Sequence, residues 1–325
     1  MILTILFGLF YIVSVGMIQY NTFRRFHMKR LSKSQLAIGN YHYTNWPFEY
    51  FLTSVQKLGL QNIEIWGAKP HFLVGIQSTE YLRDTARKIA DHGLNVVCFC
   101  PEQNNYPVNI SSGETSLRRW SIEHMKRCLE AAAMLGAPKV LLCPGNGTMD
   151  ENPKVVRDRF VDAAKELSVT AADSGIVLAL ETQAQTDSMF LNTAHQQREV
   201  LDMVNHPNFK MMLDTVQLAQ FDESLPHALQ VIGRENIVHI HLGNTILREK
   251  TPNEKRLPGI YSLGKSVCGH IGFREGNLPL MQYLQTLANA NYSHNVTIEI
   301  CQKPYWLEAD RYAAEALELV QDAFE

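Results

Sequence analysis

Short apolar runs alternate with longer amphipathic stretches along the chain from Gln35 onward. Each run is rich in Val, Ile, Leu or Met, which is typical of strands buried on both faces of a parallel sheet. The runs predict eight strands, at Leu36–Tyr41, Asn62–Trp66, Asn95–Cys100, Lys139–Cys143, Ile176–Glu181, Phe209–Asp214, Ile237–His241 and Val296–Ile300. Eight successive strand-and-helix units predict an α/β protein with a (β/α)8 TIM barrel as its single domain.

The amphipathic stretches predict the outer helices of this barrel. Two clear examples are Leu117–Leu135 and Val155–Ala172, which end at turn-forming residues such as Asp173-Ser174-Gly175. In the first stretch, apolar residues recur at helical spacing. The side chains expected to face the barrel are Leu117, Ile122, Met125, Leu129 and Ala133.

The first thirty residues do not fit the barrel pattern. Met1–Met17 is strongly apolar, and basic residues follow it at 24, 25, 29 and 30. We treat residues 1–30 as an extension and residues 31–325 as the barrel. The extension has two interpretations: a membrane anchor with the barrel on the cytoplasmic side, or a start assigned too early, with Met28 as the true first residue. The second is preferred because a strand begins shortly after Met28, and we then expect a cytoplasmic protein without membrane contact.

A second irregular segment spans residues 244–276, which lack periodicity and are rich in Lys, Arg, Pro and Gly. Connections of this length are usually functional or mobile. Because the segment follows the strand that carries His241, it is expected to lie over the catalytic face of the barrel, as a lid or an interface arm.

Composition narrows the possible partners. The 325 residues are 46% hydrophobic and 19% charged, and the net charge of −3 gives no electrostatic footprint for a nucleic acid. The six cysteines form no C-x-x-C pair and mostly lie in apolar runs. They are therefore expected to be reduced, buried small side chains.

Ligand-type residues come near the ends of the last four predicted apolar strands. They are Glu181, Asp214, His241 and Glu299. In a barrel of parallel strands the carboxyl ends share one face, where three carboxylates and an imidazole would repel one another without a cation. Any single carboxylate there could equally cap the next helix, but the set predicts one bound divalent ion, with Mn²⁺, Mg²⁺ or Co²⁺ favoured by the oxygen-rich ligands.

Other strand ends carry polar and aromatic side chains. Trp66, His71, Glu102 and Asn105 are the clearest. This mixture suits a polyhydroxylated small molecule, since aromatic faces cover C–H surfaces while polar groups bond hydroxyls. His239, two residues before His241, is expected to be a buried polar residue of the barrel interior that is hydrogen-bonded to a neighbour.

These motifs resemble those of the xylose-isomerase-like sugar phosphate isomerase/epimerase barrels, which include the tagatose and psicose 3-epimerases and fructoselysine 3-epimerase. I-E-I-W-G-A-K-P-H at 63–71 and P-E-Q-N-N-Y-P-V-N at 101–109 are most similar to the fructoselysine 3-epimerase branch. The stretch at 181–194 and the D-T, H-I-H-L-G and I-E-I elements resemble the family in general.

The resemblance implies a metal-dependent sugar 3-epimerase or isomerase, in which Glu181 and Glu299 exchange the C3 proton of a ketose through a cis-enediolate and also touch the metal. It further implies substrate contacts at Asp187, where the family usually has Glu, and at His270 in a degraded H-x-x-P-G-x-G stretch. Gln217 stands where such epimerases often have His. These departures leave the sugar open, including phosphorylated sugars and amine adducts. A homo-oligomer is compatible with the sequence.

Three alternatives stay open on the sequence alone. Apurinic endonucleases share the barrel and ligand core but need three zinc ions and further His ligands, and Gln217 replaces one of these. A related lyase or isomerase, of the keto-inositol dehydratase or hydroxypyruvate isomerase type, would keep the metal and change the pocket. A non-catalytic sugar-binding barrel would not need two bases across a metal.

Overall fold

The computed structural model describes residues 29–184, 187–247 and 269–325. Most of the predicted extension at 1–30 and the centre of the segment at 244–276 lie outside the described residues. No helix in the described ranges is long and apolar enough to cross a membrane.

Eight parallel strands form a closed barrel in chain order, which confirms the predicted (β/α)8 architecture. The strands are β1 (Leu36–Gly39), β2 (Asn62–Gly67), β3 (Asn95–Pro101), β4 (Lys139–Leu142), β5 (Val177–Leu180), β6 (Phe209–Asp214), β7 (Ile237–Leu242) and β8 (Asn295–Ile298). β8 pairs with β1, so the barrel leaves no strand edge open.

Nine helices in the described ranges surround or extend the barrel. They are α1 (Phe48–Lys57), α2 (Thr79–Asp91), α3 (Thr115–Met134), α4 (Pro153–Asp173), α5 (Ala194–Val204), α6 (Thr215–Gln220), α7 (Leu225–Ile232), α8 (Leu280–Asn289) and α9 (Ala309–Val320). Local sequence begins several of them: Asn152 caps α4 ahead of Pro153, and Thr193 and Gln196 form a capping box at α5.

The apolar core lies in two regions. A large region fills the space between strands and helices, and a smaller one lies inside the barrel, where Cys98, Cys100, Leu141 and Met212 contact one another. Successive β3 residues Cys98, Phe99 and Cys100 alternate between the two regions, as the two-residue period of a strand requires. The five described cysteines are free thiols, four of them buried, in agreement with the expectation from composition.

One residue of the predicted buried face of helix α3 is wrong by one position. Ile122, Met125 and Leu129 of α3 are buried as expected, but Ala133 is exposed and Ala132 is buried. Leu117 is only half-buried. From Leu129, the step of three residues to Ala132 follows the barrel-facing stripe, whereas the step of four to Ala133 turns away from it.

The two ends of the described chain meet at the amino-terminal end of the barrel. The Leu31 backbone donates to the Ala323 carbonyl at 2.9 Å and accepts from the Glu325 amide at 2.8 Å. Next to this pair, the Gln35 side-chain amide donates to the backbone carbonyls of Tyr292 and His294. Residues just before β1 therefore close the barrel on the face opposite the strand ends that carry the ligand-type residues.

Candidate metal centre and cavity

The four predicted ligand side chains meet at the carboxyl end of the barrel. His241 Nδ1 lies 2.7 Å from Glu299 Oε2, 3.8 Å from Glu181 Oε1 and 4.0 Å from Asp214 Oδ2. Glu181, Asp214 and His241 each offer an atom within 4.8 Å of the other two. All four residues are buried.

Strand geometry brings these groups to one level. Asp214 is the last residue of β6 and is paired with His241 of β7, and His241 is paired in turn with Thr297 of β8. Glu181 and Glu299 were predicted inside strands, but each is the first residue after β5 and β8, respectively. Because they follow the strands, their carboxylates lie at the barrel mouth, where the ladder no longer sets the side-chain direction.

Each carboxylate is held through one oxygen by a donor two or three residues ahead. Gln183 Nε2 donates to Glu181 Oε2 at 2.7 Å, and the Cys301 thiol donates to Glu299 Oε1 at 3.0 Å. The backbone amide of Gln217 donates to Asp214 Oδ1 at 2.7 Å, so Asp214 also caps α6. The second oxygen of each carboxylate faces the centre of the cluster.

Two buried atoms at this centre lack satisfied hydrogen bonds. His241 Nδ1 and Glu299 Oε2 are close, yet neither makes a hydrogen bond of acceptable geometry. Buried polar atoms nearly always have a partner. A cation between them would satisfy both.

The charges around the cluster also favour a cation. Burial raises the pKa of Glu181 to about 8; His241 opposes this shift, and the neighbouring Asp214 carboxylate adds to it. Burial would likewise raise the pKa of Glu299, but the imidazoles of His270 and His241 lower it to about 2. Burial lowers the pKa of His241, but the Glu64 and Glu299 carboxylates raise it well above its usual value. The cluster thus stabilises positive charge at its centre, and three oxygens with one imidazole fit a Mn²⁺, Mg²⁺ or Co²⁺ ion.

His270 joins the cluster, although it was predicted only as a substrate contact. Its Nε2 lies 2.8 Å from Asp214 Oδ2 and 3.4 Å from Glu299 Oε2. Burial lowers the pKa of His270, but the Glu299 and Asp214 carboxylates raise it to about 9. His270 therefore balances part of the negative charge of these two residues.

A cavity of about 830 Å³ adjoins the cluster, and Glu181, His241 and Glu299 form part of its wall. Trp66, Glu102 and Asn105, three of the predicted substrate contacts, line it. The remaining lining residues are polar or aromatic for the most part and include Tyr41, Gln103, Asn104, Tyr106, Gln302 and Trp306.

Glu102 is held in a fixed position on this wall. Its Oε2 accepts from the Trp66 indole at 3.0 Å, and its Oε1 accepts from the Asn104 and Asn105 amides at 2.8 and 2.7 Å. The Trp66 ring stacks on Tyr41 at a centroid distance of 5.6 Å. A rigid carboxylate beside an aromatic face is an arrangement that can orient hydroxyl groups.

Three of the six predicted substrate contacts are not part of the described cavity wall: His270, which joins the cluster, and His71 and Asp187. His71 is buried, and its Nδ1 contacts the Asn40 side-chain amide at 2.9 Å while its Nε2 contacts the Trp46 carbonyl at 2.7 Å. Asp187 is half-buried in the turn after β5, and its amide donates to the Ala184 carbonyl at 2.9 Å. Their roles toward a substrate stay predictions.

Sequence reasoning missed Glu64, which lies beneath the cluster and is fully buried. Glu64 accepts hydrogen bonds from Tyr41, His239 and His241. A signal was available, because a charged residue inside the apolar strand I-E-I-W has to find partners in the barrel interior. The expectation for His239 is confirmed, since it is buried and bonded to Glu64.

Comparisons with known proteins agree with the barrel fold. The family described as Xylose isomerase-like TIM barrel matches residues 52–323. The fructoselysine 3-epimerase of Escherichia coli O157:H7 is 23% identical over 272 residues, which are 84% of this chain and 92% of the relative. The D-psicose 3-epimerase of Ruminiclostridium cellulolyticum is 24% identical over 218 residues, which are 66% of this chain and 71% of the relative.

Solved structures share the fold. The structure of D-psicose 3-epimerase with D-tagatose from Clostridium cellulolyticum H10 superimposes with a TM-score of 0.68 at 17% identity. The match covers 90% of this chain and 99% of that one. At such low identity the superposition shows that the two proteins share the barrel.

Proposed function

The chain belongs to the xylose isomerase-like TIM barrel family, and we propose that it is a divalent-metal-dependent 3-epimerase of a ketose or fructosamine-type sugar. Its relatives and structural neighbours are sugar epimerases and isomerases, so the chain is an isomerase that acts on a small sugar. The position of inversion, the metal and the two-base chemistry are what we propose beyond this.

The observation that carries the proposal is the arrangement around His241 Nδ1. Oxygens from Glu299, Glu181 and Asp214 lie 2.7 to 4.0 Å from this atom, and the pair formed by Nδ1 and Glu299 Oε2 lacks satisfied hydrogen bonds. We assign Glu181, Asp214, His241 and Glu299 as the ligands of one divalent ion, with Mn²⁺ preferred. A bound ion of this kind polarises a carbonyl oxygen and makes the adjacent C–H bond more acidic.

Glu181 and Glu299 are assigned as the acid–base pair. They follow β5 and β8, which two strands separate in the closed barrel, so they approach a molecule between them from different directions. One carboxylate removes the C3 proton and leaves a cis-enediolate; the other returns a proton to the opposite face, and the stereocentre inverts. Hydrogen bonds from Gln183 and Cys301 to one oxygen of each carboxylate keep the other oxygen directed inward.

The cavity wall supports a sugar as the substrate. Glu102, Asn104 and Asn105 offer oxygen and nitrogen atoms for hydroxyl groups, while Trp66 and Trp306 offer apolar faces. We assign Trp66, Glu102 and Asn105 to substrate binding on this basis, and His270 to the region where the metal ligands and the substrate meet.

The test is a screen of ketoses, including fructosamines, in deuterium oxide with added Mn²⁺. NMR would follow deuterium entry at C3 together with the formation of the C3 epimer. We expect at least one ketose to show both. A ketose that binds without exchanging its C3 proton would contradict the proposal in favour of a binding protein, and a sugar that loses water would favour a lyase.

A further inference from the structure

Glu64 occupies an unusual position for a carboxylate. It lies in the middle of β2, is 0% exposed, and accepts hydrogen bonds from three side chains inside the barrel. Tyr41 Oη and His241 Nε2 lie 2.7 and 2.8 Å from Glu64 Oε1, and His239 Nε2 lies 2.6 Å from Glu64 Oε2. In the described part of the chain, no Lys or Arg forms a salt bridge with Glu64.

This contact decides which nitrogen of His241 faces the cluster. A carboxylate only accepts hydrogen bonds, so the Nε2 atom of His241 carries the proton that points to Glu64. When the ring is neutral, as a metal ligand has to be, the lone pair of Nδ1 is then directed at Glu299, Glu181 and Asp214. If Nδ1 carried the proton instead, an N–H group would point at the place of a cation.

Glu64 thereby fixes the orientation of His241, as nearby hydrogen-bond donors fix the orientation of the carboxylates. Gln183, the Gln217 amide and Cys301 each hold one atom of an acidic ligand and leave the other atom for the centre. Among these four holding groups Glu64 alone is an acid, and its negative charge makes the imidazole a stronger ligand.

We propose that Glu64 is a positioning residue, which holds His241 in the Nε2–H tautomer and thereby sets the affinity of the cluster for its divalent ion. The inference rests on the proposed metal site but concerns a residue outside it. It requires that Glu64 bind no metal itself, in keeping with the three short hydrogen bonds that surround its carboxylate.

The test compares Mn²⁺ binding by the metal-stripped full-length protein, its Glu64→Gln variant and its Thr297→Val variant, measured by calorimetry. Glu64→Gln keeps the side-chain shape and removes the charge, and we expect its affinity for Mn²⁺ to fall about 10- to 100-fold. Thr297→Val is the matched control: it removes the hydroxyl that lies 3.1 Å from His239 Nε2 in the same interior layer and leaves the hydrogen bond between Glu64 and His241 in place. Its Mn²⁺ affinity should equal that of the wild type.

A second measurement uses the wild-type protein, so it does not depend on whether a variant folds. Nitrogen-15 NMR of the histidine side chains in the Mg²⁺-loaded wild type should show His241 as the Nε2–H tautomer. An Nδ1–H tautomer, or unchanged Mn²⁺ affinity in Glu64→Gln, would overturn the inference and leave the proposed function standing. Two ions per wild-type chain, with one lost in Glu64→Gln, would make Glu64 a ligand and also overturn it. A wild type that binds no ion would instead refute the proposed function, and the inference with it.

Discussion

At the scale of single residues, the two oxygens of Asp214 lie in different surroundings. Its Oδ1 accepts from the Gln217 amide at 2.7 Å and caps α6, while its Oδ2 faces His241 and His270. Capping and metal binding are usually weighed as alternatives for an acid at the end of a strand. Here one oxygen makes the cap and the other faces the proposed metal site, so a suitable substitution can separate the two roles.

The substitution Asp214→Asn should keep the cap and lose the metal. Asn is as good a helix N-cap as Asp, but it removes one formal charge from the ligand set. We expect the melting temperature of the metal-free protein to stay near the wild-type value. Mn²⁺ affinity should fall by more than the about 10- to 100-fold typical of an outer-sphere partner.

Asp214→Ala is the comparison, because it removes both functions. It should lose metal binding to a similar degree and also destabilise the metal-free protein by about 0.5–2 kcal/mol, the usual loss for an N-cap. Wild-type Mn²⁺ affinity in Asp214→Asn, measured by calorimetry, would remove Asp214 from the ligand set.

At the scale of the elements, the end of β2 beside the cavity wall is tightly packed. Gly67, the last residue of β2, has no space for a side chain: a Cβ atom there would lie 2.5 Å from the Phe99 ring. Phe99 is fully buried and cannot withdraw into solvent. The Phe99 ring therefore leaves no room for a larger residue in the backbone between Trp66 and Lys69, which both line the cavity.

Gly67→Ala should therefore destabilise the protein by about 1–3 kcal/mol, the usual range for overpacking a core. Urea denaturation measures the change. The double variant Gly67→Ala/Phe99→Leu should recover part of the loss, because the smaller side chain makes room for the methyl group. Additive losses in the double variant would show that this contact does not limit the strand.

The elements also show what the sequence could predict. The eight predicted strands begin and end within two residues of the observed ones, because each apolar run is bounded by turn residues and has to be buried. The convergence of Glu181, Asp214, His241 and Glu299 followed from strand ends in the same way. The partners of Glu64 did not, because His239 and His241 lie 175 and 177 residues away along the chain. Periodicity within one strand shows which face is buried but does not show which side chain lies opposite across the barrel.

At the scale of the whole molecule, the barrel is closed at its amino-terminal end by contacts between distant parts of the chain. Backbone hydrogen bonds join Leu31 to Ala323 and Glu325, and Gln35 holds the carbonyls of Tyr292 and His294. The fold therefore needs residues 31–35, which precede the first strand.

Two shortened chains test this need. A chain that begins at Met28 should melt at the same temperature and be as active as the full chain, since it keeps every contact described above. A chain that begins at Leu36 should melt at a lower temperature, because it loses the hydrogen bonds of Leu31 and Gln35. Insolubility or inactivity of the Met28 chain, found by expression and assay, would show that earlier residues contribute to function.

The proposed two-base chemistry is the central claim. It is tested most directly by measuring deuterium exchange and epimerisation in Glu181→Gln and Glu299→Gln. Each change keeps the side-chain shape and removes a base, and metal content is measured alongside because both residues are assigned as ligands. We predict that either variant, assayed with its metal bound, loses epimerisation by about 10²–10⁴-fold. One of them can still exchange the C3 proton on a single face without inversion. Near-normal epimerisation in both metal-loaded variants would contradict the assignment of Glu181 and Glu299 as the acid–base pair.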